Sequence, residues 1–306
     1  MNTDKPHLKK SQYTDCLRSL QMACEWLSIY RGRSAQYIKL VREFYEKDER
    51  SREHILAYSE CCEIIDIYEL WEACIKNFLG LERKIKAVFR KGPILREDEN
   101  PDASTNRPRN DAFVYLLAGK LIRAGLKVVA VDGIVAQGIN CHKDADITLD
   151  RSGSAIDIQC KRPQSYTALI ERVKEADQQL SRTNREGQKG IIAIDCSAFI
   201  RPPEHLIEKD SAEDAEKFLA SSLGKAIIPT AKMPLRPDIL GFLAFARAPA
   251  MIREGFSSIV SPCGNPFKYI RRDCVSTWLA IPNSRASNSN TLRFVFRQLR
   301  TAIHAH

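Results

Sequence analysis

Two short polar stretches of this chain carry residue types that can bind a metal ion and activate a water molecule. The segment KDADITLDRSGSAIDIQCKRP, residues 143–163, alternates polar and apolar side chains on both sides of Ser-Gly-Ser. Alternate side chains of a β-strand point to the same face, so Asp146 lies on the polar face of the first strand. Asp157, Gln159 and Lys161 share the polar face of the second strand. A hairpin of these strands would gather carboxylates, an amide and an amine above an apolar floor.

The chemistry that this set predicts is metal-dependent hydrolysis of a phosphodiester. Carboxylate oxygens bind Mg²⁺, and an amide or a main-chain carbonyl supplies further oxygen ligands. We expect Asp146 to anchor the metal, and Gln159 with the main-chain carbonyl of Cys160 to complete its oxygen shell. Lys161 would position the attacking water or stabilise charge that develops on a phosphate. Mg²⁺ or Mn²⁺ is therefore the expected cofactor.

The hairpin lies between two predicted helices. Residues 111–125 form an amphipathic helix closed by a glycine, and residues 126–131 form a short strand. After the hairpin, residues 162–183 begin with an Arg-Pro pair and a capping Ser165 and keep a helical period. Residues 189–197 have the continuous apolar run of a strand that is buried on both faces. The predicted order is helix, three strands, helix, strand.

This order and these residues resemble the PD-(D/E)xK nuclease superfamily, whose restriction-endonuclease-like core runs helix, three strands, helix, strand. That family carries an Asp on the second core strand and a (D/E)xK tripeptide on the third, which Asp146 and Gln159-Cys160-Lys161 match. The QxK form resembles Mrr-like members. The resemblance covers residues 109–197 and implies an α/β fold and a Mg²⁺-dependent endonuclease acting on nucleic acid, with DNA favoured.

The chain departs from the family pattern at three positions, one of which is the absence of a Pro before Asp146. Gln159 replaces the usual acid and removes a negative charge from the metal site, and Asp157 on the same face is the candidate that would compensate. The glutamate that many relatives carry on the first core helix is matched only by Asp111, which is a further candidate ligand. The alternative is therefore a nucleic-acid-binding protein with a degenerate nuclease fold and no catalysis.

Two other interpretations stay open. The polar face of the hairpin could simply face water, with a cross-strand Lys–Asp pair of small energetic value. The helical N-terminal region could instead carry a protein interaction, with the α/β part as a scaffold.

The chain divides into three parts by composition. Residues 1–95 have helical periodicity almost throughout and predict an all-helical N-terminal domain. Residues 96–109 are rich in Pro, Asn, Asp and Ser and predict a linker. Residues 110–306 form the predicted nuclease-like α/β domain with a C-terminal extension, in which 211–227 reads as a helix and 238–248 as a buried strand.

The formal net charge of +9 favours a polyanionic partner, because clustered cations gain affinity by releasing counterions from a phosphate backbone. Arg83, Lys86 and Arg90 fall on one face of a predicted helix, and Arg162 follows the candidate lysine. These are candidate phosphate contacts, although such runs are commonly solvated. The C-terminal region contains further arginines that could contact phosphates: Arg271, Arg272, Arg293, Arg297 and Arg300.

The remaining composition predicts a cytoplasmic protein with reduced thiols. Ten cysteines occur without any CxxC pair, and several lie in apolar runs. The first residues lack an apolar signal segment, and no apolar run reaches the roughly 18 residues that span a bilayer. No membrane association is expected, and a homodimer is one possible assembly.

Overall fold

The protein is an α/β structure built on one mixed sheet. The computed structural model describes residues 10–29, 32–47, 49–90, 107–139, 145–183, 188–200, 206–260, 266–286 and 290–304. The helices are α1 (Lys10–Trp26), α2 (Arg33–Glu46), α3 (Arg52–Trp71), α4 (Leu81–Arg90), α5 (Arg107–Arg123), α6 (Tyr166–Thr183), α7 (Ser197–Ile200), α8 (Ala212–Ile227) and α9 (Asn290–His304). The strands are β1 (Val128–Val131), β2 (Ile134–Val135), β3 (Ile147–Arg151), β4 (Ser154–Lys161), β5 (Lys189–Asp195), β6 (Ile207–Lys209), β7 (Ile239–Val260) and β8 (Pro266–Pro282).

The strands follow the order β2-β1-β3-β4-β5-β7-β6, and β8 pairs with β7. Neighbours are antiparallel from β1 through β3 to β4. They are parallel from β4 through β5 to β7. The first part of the sheet is therefore a meander, and its central part needs the helical crossovers that α6 and α8 provide.

Each face of the sheet carries its own hydrophobic core. Ile147 and Ile158 point to the face covered by α1–α5 and α9. Ile192 and Ile194 point to the opposite face, which α6 and α8 cover. The described elements thus form helical layers on both sides of the sheet, as central strands that are apolar on both faces require.

The predicted hairpin is formed by β3 and β4. Arg151 pairs with Ser154, so Ser152 and Gly153 make a two-residue turn. Both have positive φ, 52° and 82°, as a type I′ turn requires. The main-chain N–H of Gly153 donates to Asp150 Oδ1 at 3.0 Å, which stabilises the turn further.

Local signals for the flanking helices are confirmed. Ser165 Oγ accepts a hydrogen bond from the main-chain N–H of Ala168 at 3.2 Å and caps α6. Gly125 has a φ of +77° just after α5, where left-handed backbone ends a helix. The predicted helix at 211–227 is α8, but the strand predicted at 238–248 is much longer, because β7 continues to Val260 in a ribbon with β8.

The N-terminal helices share a core with α5 and the sheet. Trp71 of α3 is fully buried, and its indole N–H donates to the carbonyl of Tyr115 in α5 at 2.8 Å. Gly119 of α5 packs so closely on α3 that an added Cβ would lie 2.7 Å from Leu70 Cβ. A Cβ at this position would therefore force α3 and α5 to shift apart.

The predicted division into domains stays a prediction. Residues 96–106 of the predicted linker lie outside the described residues, and α5 begins at Arg107, before the expected boundary at 110. No helix in the described part of the chain combines the length and the apolar character that crossing a membrane requires.

Candidate active site

The β3–β4 register brings Asp146 and Gln159 together. Ile147 pairs with Ile158, so one residue further along the ladder Asp146 lies opposite Gln159. Directly opposite residues of antiparallel strands have Cβ atoms about 5 Å apart on the same face. Asp146 Oδ2 also accepts a hydrogen bond from the main-chain N–H of Cys160 at 2.7 Å, which ties the carboxylate to β4.

Helix α6 covers the polar face of this hairpin. Asp157, Gln159 and Lys161 are only 3%, 4% and 7% exposed, whereas Asp146 is partly exposed. The interpretation of a solvated hairpin face is therefore wrong for these three side chains. Burying polar groups is costly unless they are paired, so each should have a defined partner.

Lys161 is held by two side chains of α6. Its Nζ donates to Gln179 Oε1 at 2.6 Å and lies 3.3 Å from Glu175 Oε1. Burial opposes ionisation of Glu175, but the hydrogen bond from Arg172 and the charge of Lys161 outweigh it and lower the pKa of Glu175. The ammonium group is therefore oriented by an ionised partner and an amide.

Sequence reasoning did not assign Glu175 and Gln179 to this site. The helical period shows that they are four residues apart on one face of α6, but it does not show which face meets the hairpin. Gln178, the neighbour of Gln179, is exposed. Only the docking of α6 distinguishes the two glutamines.

The electrostatic environment of Asp146 disfavours its charged form. Burial is the main cause of its raised pKa, and the charges of Asp132 and Glu175 add to the effect. The Cys160 N–H and the charge of Lys161 act in the opposite direction without cancelling it. A bound cation would relieve this unfavourable balance.

Asp157 accepts hydrogen bonds at both carboxylate oxygens. Thr148 Oγ1 donates to Asp157 Oδ1 at 2.9 Å, and Gln188 Nε2 donates to Asp157 Oδ2 at 2.6 Å. Through these two hydrogen bonds Asp157 joins β3, β4 and the residue before β5. Each oxygen keeps a further lone pair, so Asp157 stays a candidate for the acid that compensates for Gln159.

Asp111 and the basic residues of α4 lie in the layer opposite α6. Helix α5 packs on the face that carries Ile147 and Ile158, so Asp111 is not on the face of Gln159 and Lys161. The basic residues predicted on α4 are Arg83 and Arg90, which are exposed, and Lys86, which is partly exposed. They are accessible to a phosphate, as expected.

Arg162 points away from Lys161 into a network of ion pairs. Its guanidinium lies 3.1 Å from Glu63 Oε1 and 2.9 Å from Asp195 Oδ2. Burial acts against the charged form, but the Glu63 and Asp195 carboxylates outweigh it and raise the pKa of Arg162. A guanidinium so occupied holds α3 against the sheet and is not presented to a nucleic acid.

Two further arginines extend this network along α3. Arg109 lies 3.3 Å from Glu60, and Arg247 pairs with Asp66. They line a cavity of about 40 Å³, and among the described residues Arg247 Nη1 has no hydrogen-bond acceptor. A water needs on the order of 10–15 Å³, so water molecules can complete this network.

The oxygen donors around Asp146 fit Mg²⁺ or Mn²⁺ only in part. In the residues that the structure describes, no group of three or more His, Cys, Asp or Glu side chains could hold a metal. Mg²⁺, however, usually keeps several waters and is bound through one or two carboxylates together with substrate phosphates. One carboxylate from Asp146, the Gln159 amide and the Cys160 carbonyl are hard oxygen donors of the required kind.

Three comparisons with known proteins found no relative. No protein-family model, no curated protein and no solved structure matches this chain. A function therefore has to follow from the geometry of the site.

Proposed function

We propose that this chain is a metal-dependent nuclease that hydrolyses phosphodiester bonds in nucleic acid, with DNA as the favoured substrate. The observation that carries the proposal is the buried Lys161, oriented by Gln179 and Glu175 next to Gln159 and the partly exposed Asp146. An ion pair alone would explain the burial of Lys161, but it would not explain the neighbouring Asp146, whose pKa is raised. Acids with a raised pKa are common at functional sites.

The topology supports the same proposal. Helix α5, strands β1, β3 and β4, helix α6 and strand β5 follow the order of a restriction-endonuclease-like core. The first three strands form an antiparallel meander, and β5 joins β4 in parallel. The two-residue β2, the long β7–β8 ribbon and the N-terminal helices would be additions to that core.

Metal binding and stabilisation of the reacting groups would fall to different residues of the site. Asp146, Gln159 and the Cys160 carbonyl would hold Mg²⁺ or Mn²⁺, which when bound polarises the phosphate and lowers the pKa of a water. The Lys161 ammonium, fixed by Gln179 and Glu175, donates to the attacking water or to the phosphate oxygen on which charge develops. Because α6 excludes bulk water from Lys161, this charge acts in a medium of lower dielectric constant.

Exposed basic residues would guide the substrate. Arg83 and Arg90 on α4 and Arg293 and Arg300 on α9 are exposed, so their charges are accessible to phosphates. A cytoplasmic site of action and a homodimer, which would supply two sites for cutting both strands, belong to the same proposal.

The test is cleavage of plasmid, linear and single-stranded substrates in Mg²⁺, Mn²⁺ or EDTA. We expect the wild type to cut only with metal and Lys161→Ala to lose cleavage by at least about a hundredfold. Lys174→Ala is the matched control, because Lys174 is exposed on the same helix that covers Lys161. Full activity of Lys161→Ala would exclude this mechanism.

A second candidate function is nucleic-acid binding without hydrolysis. It is favoured by Gln159 in place of an acid, which removes one negative charge from the proposed metal site. It predicts salt-sensitive binding that is unchanged by EDTA and by Asp146→Ala. Metal-dependent formation of cleaved products would rule it out.

A further inference from the structure

Asp132 is joined directly to Asp146 at the end of the β1–β3 ladder. Val131 pairs with Ile147, and one step further the main-chain N–H of Asp132 donates to the carbonyl of Asp146 at 2.7 Å. Asp146 is therefore held through its main chain by Asp132 on one side and through its side chain by the Cys160 N–H on the other. Whatever fixes Asp132 also fixes the position of Asp146.

Two side chains from different helices fix Asp132. Lys84 Nζ of α4 donates to the main-chain carbonyl of Asp132 at 2.6 Å and to its Oδ2 at 2.8 Å. The hydroxyl of Tyr115 in α5 donates to the same Oδ2 at 2.9 Å. Hydrogen bonds to a charged group are stronger than neutral ones, so these three bonds should hold Asp132 in place against α4 and α5.

Asp132 is the first residue of the two-residue turn that joins the paired Val131 and Ile134 of β1 and β2. Its φ is +46°, which a residue with a Cβ rarely adopts, and Gly133 follows with a φ of +72°. Both values fit a type I′ turn, like that of Ser152 and Gly153. Lys84 and Tyr115 attach this turn to α4 and α5.

We infer that Lys84, Tyr115 and Asp132 form a clamp that positions Asp146 for its ligand. This inference rests on the proposed function, because the ligand in question is the divalent cation of that site. Lys84 and Tyr115 are thus positioning residues, which act on the site through Asp132 without touching the substrate. The clamp also gives the N-terminal helices a part in the active site, since Lys84 belongs to α4.

Electrostatics and positioning predict opposite outcomes when Lys84 is neutralised. By Coulomb's law alone, removal of a positive charge near a cation site should tighten cation binding. If the clamp positions Asp146, the same change should weaken binding, because residues that orient metal ligands typically contribute 10–100-fold to affinity. The sign of the effect therefore separates the two causes.

The experiment measures Mn²⁺ binding to the intact protein by calorimetry, without substrate, well below the unfolding temperature. We expect Lys84→Met, which keeps the aliphatic stem, to weaken Mn²⁺ binding about tenfold. Tyr115→Phe, which removes only the hydroxyl, should weaken it several-fold and is the variant least able to disturb the fold. Lys225→Met, which changes an exposed lysine of α8, is the control and should bind as the wild type does.

A second measurement keeps the inference separate from the proposed function. Hydrogen exchange of the Asp132 amide, which donates to Asp146, should be faster in Lys84→Met than in Lys225→Met. If the wild type binds no Mn²⁺, the proposed metal site fails, and unchanged exchange would overturn the clamp as well. If the wild type binds Mn²⁺ and Lys84→Met binds it equally or more tightly, the clamp alone is overturned.

Discussion

Lys161 and Arg162 are neighbours in sequence, yet they belong to two polar clusters of different construction on opposite faces of β4. Arg162 meets Glu63 and Asp195, whose side chains are 8% and 2% exposed. Lys161 meets Glu175, whose side chain is 38% exposed, and the neutral Gln179. The first cluster is buried and places one guanidinium between two carboxylates, whereas the second borders a partly exposed acid.

The difference distinguishes a structural network from the proposed active site. Every arginine of the α3 network faces a carboxylate of α3, so the network joins the N-terminal helices to the sheet. Asp146, in contrast, has a raised pKa and no cation within hydrogen-bonding contact among the described residues. Buried charges that are fully paired hold elements together, while a perturbed acid beside an oriented lysine is typical of an active site.

The largest expected effect is the loss of stability in Arg162→Met. This change leaves Glu63 and Asp195 buried without their partner, which should reduce the free energy of unfolding by about 3–5 kcal/mol. Lys161→Met is the matched control on the other face, and it should cost less than about 1 kcal/mol because Glu175 is partly exposed and keeps Arg172. Guanidinium denaturation measures both, and equal losses would break the distinction between the two clusters.

The next effect tests how tightly the N-terminal helices are attached. Gly119→Ala places a Cβ 2.7 Å from Leu70 Cβ, which cannot rotate away, so overpacking should cost about 1–3 kcal/mol. Gly224→Ala is the control in α8, where the nearest atom to the added Cβ is 3.9 Å away. That variant should gain about 0.5–1 kcal/mol from helix propensity. Thermal or denaturant unfolding of both variants measures the contrast, and a neutral Gly119→Ala would mean that α3 can move relative to α5.

Activity should distinguish the two adjacent glutamines of α6. Gln179→Ala removes the amide that accepts from Lys161 Nζ at 2.6 Å, so we expect cleavage to fall about tenfold, which corresponds to roughly 1.4 kcal/mol. Gln178→Ala alters only an exposed side chain and should leave the rate within about twofold. Equal rates for the two variants in the nuclease assay would remove Gln179 from the site.

The smallest effect is a change in the pH dependence of stability. Burial raises the pKa of Asp146 above its unfolded value, so its ionised form costs folding free energy. Below about pH 4 the carboxyl is neutral in both states, and as pH rises through the raised pKa the wild type loses stability relative to Asp146→Asn. Asp146→Asn should therefore be the more stable protein at pH 7, with the gain vanishing towards acid pH.

Asp150 on the same strand supplies a control of opposite sign. Hydrogen bonds from Lys127 and from the Gly153 N–H lower the pKa of Asp150, so its charge stabilises the fold. Asp150→Asn should therefore lose stability at neutral pH, and the loss should diminish as pH falls through the lowered pKa. Unfolding midpoints across pH 2–8 would show whether the two variants diverge in opposite directions.

Sequence patterns were sufficient to predict the hairpin that carries the site and the helix ends beside it. The alternation of residues 143–163 predicted the hairpin, and Ser-Gly at its centre predicted the tight turn. Ser165 and Gly125 marked helix ends that the structure confirms. These features depend on neighbouring residues only, so they can be inferred without the rest of the fold.

Other parts of the site could not be inferred, because their partners are distant in sequence. Lys84 lies 48 residues from Asp132, and Glu63 lies 99 residues from Arg162. Asp157 had the spacing of a metal ligand, and the structure adds hydrogen bonds from Thr148 and Gln188 to its carboxylate oxygens. Spacing assigns a side chain to a face, and it does not tell which helix will cover that face.

The sequence by itself determined that Asp157, Gln159 and Lys161 share one face of a strand, because a β-strand has a period of two. By the same rule Arg162 lies on the opposite face. Only the tertiary structure decided that α6 covers the lysine and that α3 covers the arginine. That choice depends on how all the apolar surfaces of the chain pack at once, and it separates a candidate catalytic lysine from a structural arginine one residue away.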